Sequence, residues 1–519
     1  MTVTTIDQRR QHNLRLPISR LPNEILSSIF CILRSNFVSA AETWRRTHGL
    51  ECLKGWVTIT YVCRAWREVA LDTSVLWCHI DISFGFHNWI PELLRRSKQS
   101  LLRVTVAIDW ARNRRQRDLL EELKKHLGRV RELALLGLGS AITYEILSSE
   151  SQATFQNLET LDIRMYEIPF TLNDSHLRAE CLRCLSLDSC SIDWNSKFLQ
   201  GLTHLRLVDM PDGCRLGCHD FILVLSKIPA LETLHLSYLL LENVNDNDEE
   251  VQTHRATKVH LQHLQQLHMA SEVQEMAQFL SSLVVPRSCK LYLQRTWCEG
   301  DVVCDKFRVI LSWISNHFRV PEITPLNQDA SNPEQYIRTF HLEHRPGADF
   351  KMEGFGDVLE QLDIADPIFR FVIDWSCDEE DYDVNLRNFL SFLPLSGVTS
   401  LGVFNDVELS PESWTVAFGS IPTLKTIYLE IATPPFWQAL TPANPDNGTI
   451  KSLPFPTLSS IAVEEDYPDF QLILDTLRVR SELGGTRLQD LCFSSQSVPP
   501  TPIMIQLGEL VNSIEYVEN

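Results

Sequence analysis

Several cysteines stand at spacings that occur in metal sites. Cys181 and Cys184 are separated by two residues, and Cys190 follows shortly after. A structural zinc site needs a second ligand pair at workable spacing, and none accompanies these thiols. Cys184 also falls within a recurring apolar motif, where a thiol acts as a small hydrophobe and is expected to point inward. We therefore predict that these cysteines bind no metal.

Two other groups invite the same question. Cys214, Cys218 and His219 lie close together in a predicted loop, but no fourth ligand is evident. His341 and His344 are separated by two residues, whereas the His-Glu-x-x-His motif separates its histidines by three to place them on one helical face. We predict no metal and no cofactor for this chain.

The sequence contains no recognisable catalytic motif. A phosphate-binding glycine loop, a nucleophile elbow and a kinase signature are all missing. The pair Gly484-Gly485 indicates a turn, and the acidic runs at 245–250 and 378–381 indicate solvated loops. An enzyme, for example a hydrolase hidden in the irregular region 296–355, has no motif behind it. We predict no catalytic residues and no enzymatic activity.

A first helix begins near Leu21 and Pro22. Proline at the first helical position costs no hydrogen bond, and Glu24 in the first turn complements the helix dipole. The following apolar residues recur at helical spacing and form one broad stripe. These residues are Ile25, Leu26, Ile29, Phe30 and Leu33.

A second helix is predicted from Trp56 to Leu71, with a break at 72–74 and a return to the core at Leu76 and Trp77. Two short helices cannot bury both faces of so many apolar residues. The surplus apolar surface suggests a partner.

These residues resemble the F-box of fungal, basidiomycete-like F-box proteins over about residues 16–80. The matching pattern is Leu21-Pro22-x-Glu24-Ile25-Leu26-x-x-Ile29-Phe30, then Val62-Cys63-Arg64-x-Trp66-Arg67, then Leu76-Trp77. The resemblance implies docking on the Skp adaptor of a cullin-RING (SCF) ubiquitin ligase. Carried over by position, the adaptor-binding residues are Leu21, Pro22, Ile25, Leu26, Ile29, Val62, Cys63 and Trp66.

One departure from the family pattern lies between the two helices. The connection at 34–55 is longer than usual, as though a loop or an extra helix were inserted. An insertion over the adaptor surface would weaken adaptor binding. The alternative is a helical hairpin that only caps the following domain.

From about residue 100, a motif of the form apolar-x-x-apolar-x-apolar recurs, as at Leu158–Ile163. It is typical of leucine-rich repeats, in which each repeat adds one short strand to a parallel ladder. Ten copies are present, starting at Val130, Leu158, Leu182, Leu202, Leu231, Leu264, Leu359, Leu424, Leu458 and Leu488. The capping asparagine is mostly missing and the period lapses in 296–355, so the predicted solenoid is irregular. Segments such as 218–228 and 272–283 have helical patterning and are expected on its convex side.

The residue between the last two apolar positions of a repeat strand faces the concave surface, as does the residue two positions later. These residues would contact a protein target, although each could equally be only solvated. They are Asp162, Arg164, Ser186, Asp188, Arg206, His235, Ser237 and His268.

Charge and composition exclude several classes of protein. The chain has a net charge of −20; residues 1–80 carry ten basic and six acidic side chains, which leaves −24 on the remainder. Such an acidic surface repels phosphate backbones, so neither nucleic acid nor membrane is an expected partner. No apolar run approaches the ~20 residues of a membrane span, and residues 1–20 lack a signal peptide. We expect an intracellular protein, cytoplasmic or nuclear, with reduced cysteines.

The sequence therefore predicts an α/β chain with three parts: a disordered N-terminus (1–15), a small all-α F-box module (16–80) and an irregular leucine-rich-repeat solenoid (81–510). The predicted function is that of an SCF substrate receptor, which binds the Skp adaptor, through it cullin, and an unidentified protein target. The alternative is a repeat scaffold that recruits no ligase.

Overall fold

The computed structural model describes residues 8, 11–13, 15–44, 55–82, 89–107, 114–148, 155–165, 170–175, 177–238, 258–295, 305–319, 336–344, 349–359, 365–374, 379–405, 407–441, 453–465 and 468–517. The chain forms two compact units, Met1–Cys214 and Arg215–Asn519. Within the first unit, a backbone hydrogen bond from the Arg103 amide to the Cys78 carbonyl (3.0 Å) joins the end of the N-terminal helical segment to the chain that follows it.

The first unit opens with helices. They are α1 (Asn23–Trp44), α2 (Ile59–Val62) and α3 (Arg64–Asp72), with 3-10 turns at Pro17–Arg20, Trp56–Thr58 and Ser74–Trp77. Helix α1 begins one residue after Pro22, whose carbonyl accepts bonds from the amides of Ile25 and Leu26, both at 3.1 Å. The single second helix predicted for 56–71 is thus divided into three short pieces.

The remainder of the first unit alternates strands with short helices. In chain order these are β1 (His79–Ile82), α4 (Ile90–Arg96), β2 (Leu102–Ala107), α5 (Arg114–Lys124), β3 (Val130–Leu136), α6 (Ser140–Leu147), β4 (Thr160–Arg164), β5 (Thr171–Leu172), β6 (Cys184–Asp188), β7 (Ser191–Ile192) and β8 (His204–Val208). Six strands pair in parallel in the order β1-β2-β3-β4-β6-β8. Strands β5 and β7 form a separate parallel pair.

The second unit continues the alternation. Its elements are α7 (Cys218–Leu225), β9 (Thr233–Ser237), β10 (Val259–His260), β11 (Gln266–Ser271), α8 (Val273–Ser282), β12 (Leu283–Val284), β13 (Lys290–Arg295), α9 (Asp305–Phe318), β14 (Thr339–His344), β15 (Asp349–Phe355), β16 (Phe369–Asp374), α10 (Glu379–Phe392), β17 (Ser400–Asn405), α11 (Pro411–Ala417), β18 (Thr426–Leu429), α12 (Pro434–Ala439), β19 (Ser460–Val463), α13 (Phe470–Glu482), β20 (Leu488–Ser494), α14 (Thr501–Leu510) and β21 (Val511–Val517). Helices α7 and α8 lie where the sequence patterning predicts helix.

The main strands of the second unit pair in the order β9-β11-β13-β16-β15-β14-β17-β18-β19-β20-β21. Strand β15 runs antiparallel to both neighbours, and β14 to β16 lie in reversed spatial order. The first two strands of this meander, β14 and β15, fall in 296–355, where the repeat period lapses. The motif fails there because the chain turns back on itself instead of completing one repeat per strand.

Strands lie at nine of the ten predicted repeat motifs, and the tenth, at 359–364, falls almost wholly outside the described residues. In each of these strands the two apolar motif positions are buried while the residue between them is half-buried, as the pattern iBiB in β18 and β19 illustrates. Leu161 and Ile163 of β4, for example, are both 0% exposed. Alternation of this kind buries one face of the ladder.

Candidate functional site

Large aromatic side chains build the core of the N-terminal helical module (residues 17–77). The Phe30 and Trp66 rings lie 5.1 Å apart, and the Trp56 and Trp77 rings also 5.1 Å. The Trp77 indole donates a 2.8 Å hydrogen bond to the Ala70 carbonyl, so the buried ring has a partner for its polar atom. This packing fixes α1 against α3 and holds the outer faces of both helices in place.

The outer face of α1 carries an exposed apolar stripe, Ile25, Ile29 and Ile32. The side chains are 48%, 41% and 64% exposed and follow i, i+4, i+7 spacing, which places them on one face. Because each side chain is already partly buried, covering the rest would contribute roughly half of the ~1.5–3 kcal/mol expected for full burial. A row of large aliphatic side chains on a rigid helix is suited to contact a partner. Ile32 was not among the residues predicted from sequence, although it continues the spacing of Ile25 and Ile29.

Leu26 lies on the face of α1 next to this stripe, about 100° around the helix from Ile25. It is 4% exposed and packs in the module core with Phe30, one helical turn further along. The predicted role of Leu26 in adaptor contact does not fit this position, because its side chain already fills the core. Leu21 is half-buried against the same core, whereas Pro22 is exposed.

The end of α2 presents a second exposed apolar site. Val62 is 58% exposed and its neighbour Tyr61 is 70% exposed. The Arg67 guanidinium lies 5.6 Å from the centre of the Tyr61 ring, and its Nε donates a 2.7 Å bond to the Thr60 carbonyl. Arg67 thus holds Tyr61 in place beside Val62.

Cys63 separates α2 from α3, and its side chain has a structural role in the module itself. Its backbone is extended (φ −155°, ψ 172°), and its Sγ accepts a 3.4 Å hydrogen bond from the Trp66 amide. Cys63 is therefore the N-cap of α3, a position that ends one helix and begins the next. Trp66, half-buried against Phe30, is oriented by this cap.

The predicted insertion at 34–55 is in part a continuation of helix. Helix α1 runs without interruption to Trp44 and therefore takes up the first half of the segment. Residues 45–54 lie outside the described residues. The structure therefore describes a longer first helix rather than a loop at 34–44.

In the first unit, the predicted target-facing residues form one register across the ladder. Asp162 of β4 pairs with Ser186 of β6, and Ser186 pairs with Arg206 of β8. The charges neutralise one another, because Arg164 lies 2.9 Å from Asp162 and Arg206 lies 4.0 Å from Asp188. This face is polar and carries no uncompensated charge among these residues.

In the second unit, the corresponding row carries stacked rings. His235, His268 and Tyr292 are in register across β9, β11 and β13. The ring centres are 5.2 Å and 4.3 Å apart, with interplanar angles of 18° and 12°. Burial lowers the pKa of His268, so stacking takes place with a neutral imidazole. Ser237, predicted to face a target, is buried at the end of β9.

Tyr292 and Arg370 extend this row and were missed in the sequence. The Arg370 guanidinium lies 5.9 Å from the Tyr292 ring centre, and the Tyr292 hydroxyl donates a 3.1 Å bond to Asp366. Burial and the Asp366 carboxylate raise the pKa of Tyr292 to about 12. The short motif Leu291-Tyr-Leu293 was the available signal, but it lacks the preceding leucine of a full repeat.

The cysteine and histidine groups weighed in the sequence do not converge. In the described part of the chain, no group of three or more His, Cys, Asp or Glu side chains has the geometry to hold a metal ion. Cys184, predicted to point inward, is half-buried, because the strand alternation turns Leu185 and Leu187 toward the core instead. None of the helices in that part of the chain combines the length and apolar content needed to cross a bilayer.

Comparison with known proteins supports one part of the resemblance. A family model described as F-box-like matches residues 18–83. The chain therefore carries an F-box-like domain, which covers the helical module described above from its second residue onward, and the predicted F-box resemblance is confirmed to that extent. No curated protein matches the chain.

Two solved structures show a weak similarity. One is the Rad7 and Elc1 complex of yeast, with a TM-score of 0.26 and 10% identity over 96% of each chain. The other is the TLR13–ssRNA13 complex, with a TM-score of 0.30 and 11% identity over 84% of this chain and 65% of that one. At these TM-scores neither resemblance bears on fold or function.

Proposed function

We propose that this protein is the substrate-recognition subunit of an SCF-type cullin-RING ubiquitin ligase. The F-box-like domain at 18–83 and the exposed apolar stripe on α1 are the observations that carry the proposal. The stripe (Ile25, Ile29, Ile32) and the exposed end of α2 would contact the Skp adaptor. The packed core holds the helix that carries these side chains, so docking would cost little backbone entropy.

The two strand ladders would form an irregular leucine-rich-repeat solenoid that holds a protein target. The parallel strands and the repeated burial alternation support this part of the proposal. The polar row of the first unit and the stacked rings of the second would each offer contacts to that target. The mechanism is positional: a target bound near the ligase experiences a high effective concentration of the charged ubiquitin enzyme, and no residue of this chain reacts.

Co-purification with the Skp adaptor tests the ligase connection. We expect wild-type protein to retain the adaptor, and Ile25→Asp together with Ile29→Asp to abolish retention. A carboxylate in a buried apolar contact loses its hydration without gaining a partner, which costs several kcal/mol. The double alanine variant of Leu21 and Pro22 should weaken retention, but Leu21 also packs in the core.

The matched control is Val479→Asp on α13. Val479 is 42% exposed on a helix surface, comparable to Ile29, but lies outside the F-box-like domain. Circular dichroism should show the same helical content in all variants. If wild-type protein fails to bind the adaptor at micromolar concentration, the protein is instead a repeat scaffold that recruits no ligase. If the Val479 variant loses binding equally, the stripe on α1 is not the adaptor contact.

A further inference from the structure

A pocket of about 360 Å³ lies beside the N-terminal helices within the first unit. Three parts of the chain build it: Arg34 and Ser35 on α1, Cys78 after the third 3-10 turn, and a set of residues from the first strands. That last set includes Arg103 of β2 and Arg131 of β3, and Ser100, just before β2, also lines the pocket. The volume lies at the lower end of the range for small-molecule sites.

The charged lining of the pocket is dominated by guanidinium groups. Arg103 lies 2.9 Å from the Glu132 carboxylate, and Arg131 lies 3.1 Å from that of Glu159 and 3.6 Å from that of Glu132. Arg34, Arg103 and Arg131 carry three positive charges, and Glu132 and Glu159 carry two negative charges. One net positive charge therefore remains at the pocket. It belongs to Arg34.

Arg34 has no acidic partner among the described residues. Its Nε is buried and makes no hydrogen bond, while the Trp56 ring lies 5.6 Å from the guanidinium carbon. Burial lowers the pKa of Arg34, and its other side-chain contact is with the Cys78 thiol. A half-buried cation without a counter-charge is costly, and an anion in the pocket would offset that cost.

Backbone geometry places Arg131 at the pocket as well. Strand β3 contains one extra residue relative to β2, since Leu102 pairs with Val130 and Arg103 with Glu132. Arg131 is the residue of this β-bulge that has no paired residue on β2. Bulges redirect side chains and are rare in parallel pairs, so this one is a local feature of the site rather than of the repeat.

Arg129 adds a further positive group next to Ser100, one of the residues that line the pocket. Its guanidinium donates bonds to the carbonyls of Lys98 at 2.7 Å and Ser100 at 3.1 Å. No carboxylate approaches it in the described part of the chain. Its charge therefore adds to that of Arg34.

We propose that this pocket binds a small phosphate-bearing molecule. The planar guanidinium fork matches phosphate oxygens in two-point hydrogen bonds, and three such groups converge here from α1, β2 and β3. The size of the pocket fits a small molecule rather than a polymer, and the net charge of −24 outside residues 1–80 repels nucleic acid. The bound anion would tie α1 to the first two strand pairs, whether or not the adaptor binds.

Titration calorimetry on the full-length protein tests this site, with inorganic phosphate and pyrophosphate as probes and sodium chloride at matched ionic strength as reference. We expect saturable binding of at least one probe and none of chloride. Arg34→Gln and Arg103→Gln should each weaken binding tenfold or more. Arg34→Lys should fall between wild type and Arg34→Gln, because it keeps the charge but loses the fork.

The matched control is Arg64→Gln. Arg64 lies in the same helical module, its side chain is 68% exposed, and among the described residues it pairs with Glu68 alone, at 2.7 Å. Its loss should leave probe binding unchanged. The proposal is overturned if probe binding is no stronger than chloride binding, or if wild type and Arg103→Gln bind the probe equally. Arg103→Gln provides this test even if Arg34→Gln does not fold. Since the readout involves no adaptor, a failure here is distinct from a failure of the ligase proposal.

Discussion

A single sulfur atom sets the geometry of the α2–α3 junction. Cys63 Sγ accepts the Trp66 amide at 3.4 Å, and sulfur is a weak acceptor. A serine hydroxyl is a stronger cap, whereas alanine offers none. We expect Cys63→Ser to melt at or above the wild-type temperature and Cys63→Ala below it, with serine and alanine separated by about 1 kcal/mol. Differential scanning calorimetry measures this order. Equal melting temperatures for Cys63→Ala and Cys63→Ser would show that the cap contributes nothing.

Arg480 is a second residue whose role depends on buried hydrogen bonds. It is 2% exposed and donates to the carbonyls of Leu440 at 3.0 Å, Pro454 at 2.8 Å and Phe455 at 2.6 Å. Lysine cannot reach three divergent carbonyls from one point charge. We expect Arg480→Lys to lower the free energy of unfolding by about 2–4 kcal/mol.

The matched control is Arg478→Lys, on the same helix but 48% exposed at its side chain. We expect it to change stability by less than about 0.5 kcal/mol. Denaturant unfolding followed by tryptophan fluorescence compares the two. Equal losses would mean that the three carbonyl contacts of Arg480 carry no net stabilisation.

The sequence anticipates residue types better than residue orientations. Helical spacing puts Ile25, Leu26 and Ile29 on one broad stripe, but it cannot say where core ends and exposed face begins. That boundary depends on where Phe30 and Trp66 meet, which is a contact between segments far apart in the chain. The same reason hides the role of Cys63, since capping requires knowing that the helix breaks there.

At the scale of one strand, Gly402 in β17 occupies the row that faces away from the buried leucines. A Cβ at Gly402 would lie 2.8 Å from His341 Cδ2 and 2.9 Å from Phe404 Cε2, closer than real contacts allow. We expect Gly402→Ala to destabilise the second unit by about 1–3 kcal/mol, because both rings must move. The control is Gly139→Ala, where an added Cβ meets no atom within 4 Å. Thermal melting of the two variants checks this; equal shifts would contradict it.

Strands could be predicted wherever one complete motif occupies one strand. The copy at Leu158–Ile163 shows this, because both the spacing and the burial agree with β4. Strands β14 to β16 could not be predicted in this way, because an antiparallel meander has no fixed sequence period and its strand pairing depends on residues far apart in the chain. A compact sequence pattern predicted the N-terminal helices, but it did not predict the length of α1. Nothing in residues 34–44 marks whether a helix continues or ends.

At the scale of the whole molecule, the two units differ in their buried titratable groups. Burial lowers the pKa of both His317 and His341 to about 4, and both lie in the second unit. His317 donates from Nε2 to the Cys289 carbonyl at 3.0 Å; Arg287 adds to the lowering. Around His341, Glu353 opposes the lowering and Lys351 adds to it.

Acidification should therefore weaken the second unit more than the first, in which burial also lowers the pKa of His126. A histidine whose folded pKa lies below its unfolded value leaves the unfolded chain holding more protons, so stability falls as pH drops from about 6.5 toward 4. At pH 5 we expect a loss of about 2 kcal/mol from His317 and less from the half-buried His341. Hydrogen exchange, corrected for intrinsic rates, should show protection falling mainly in 215–519 between pH 7 and pH 5. His317→Gln should reduce that fall and exposed His219→Gln should not; uniform loss in both units would refute the selectivity.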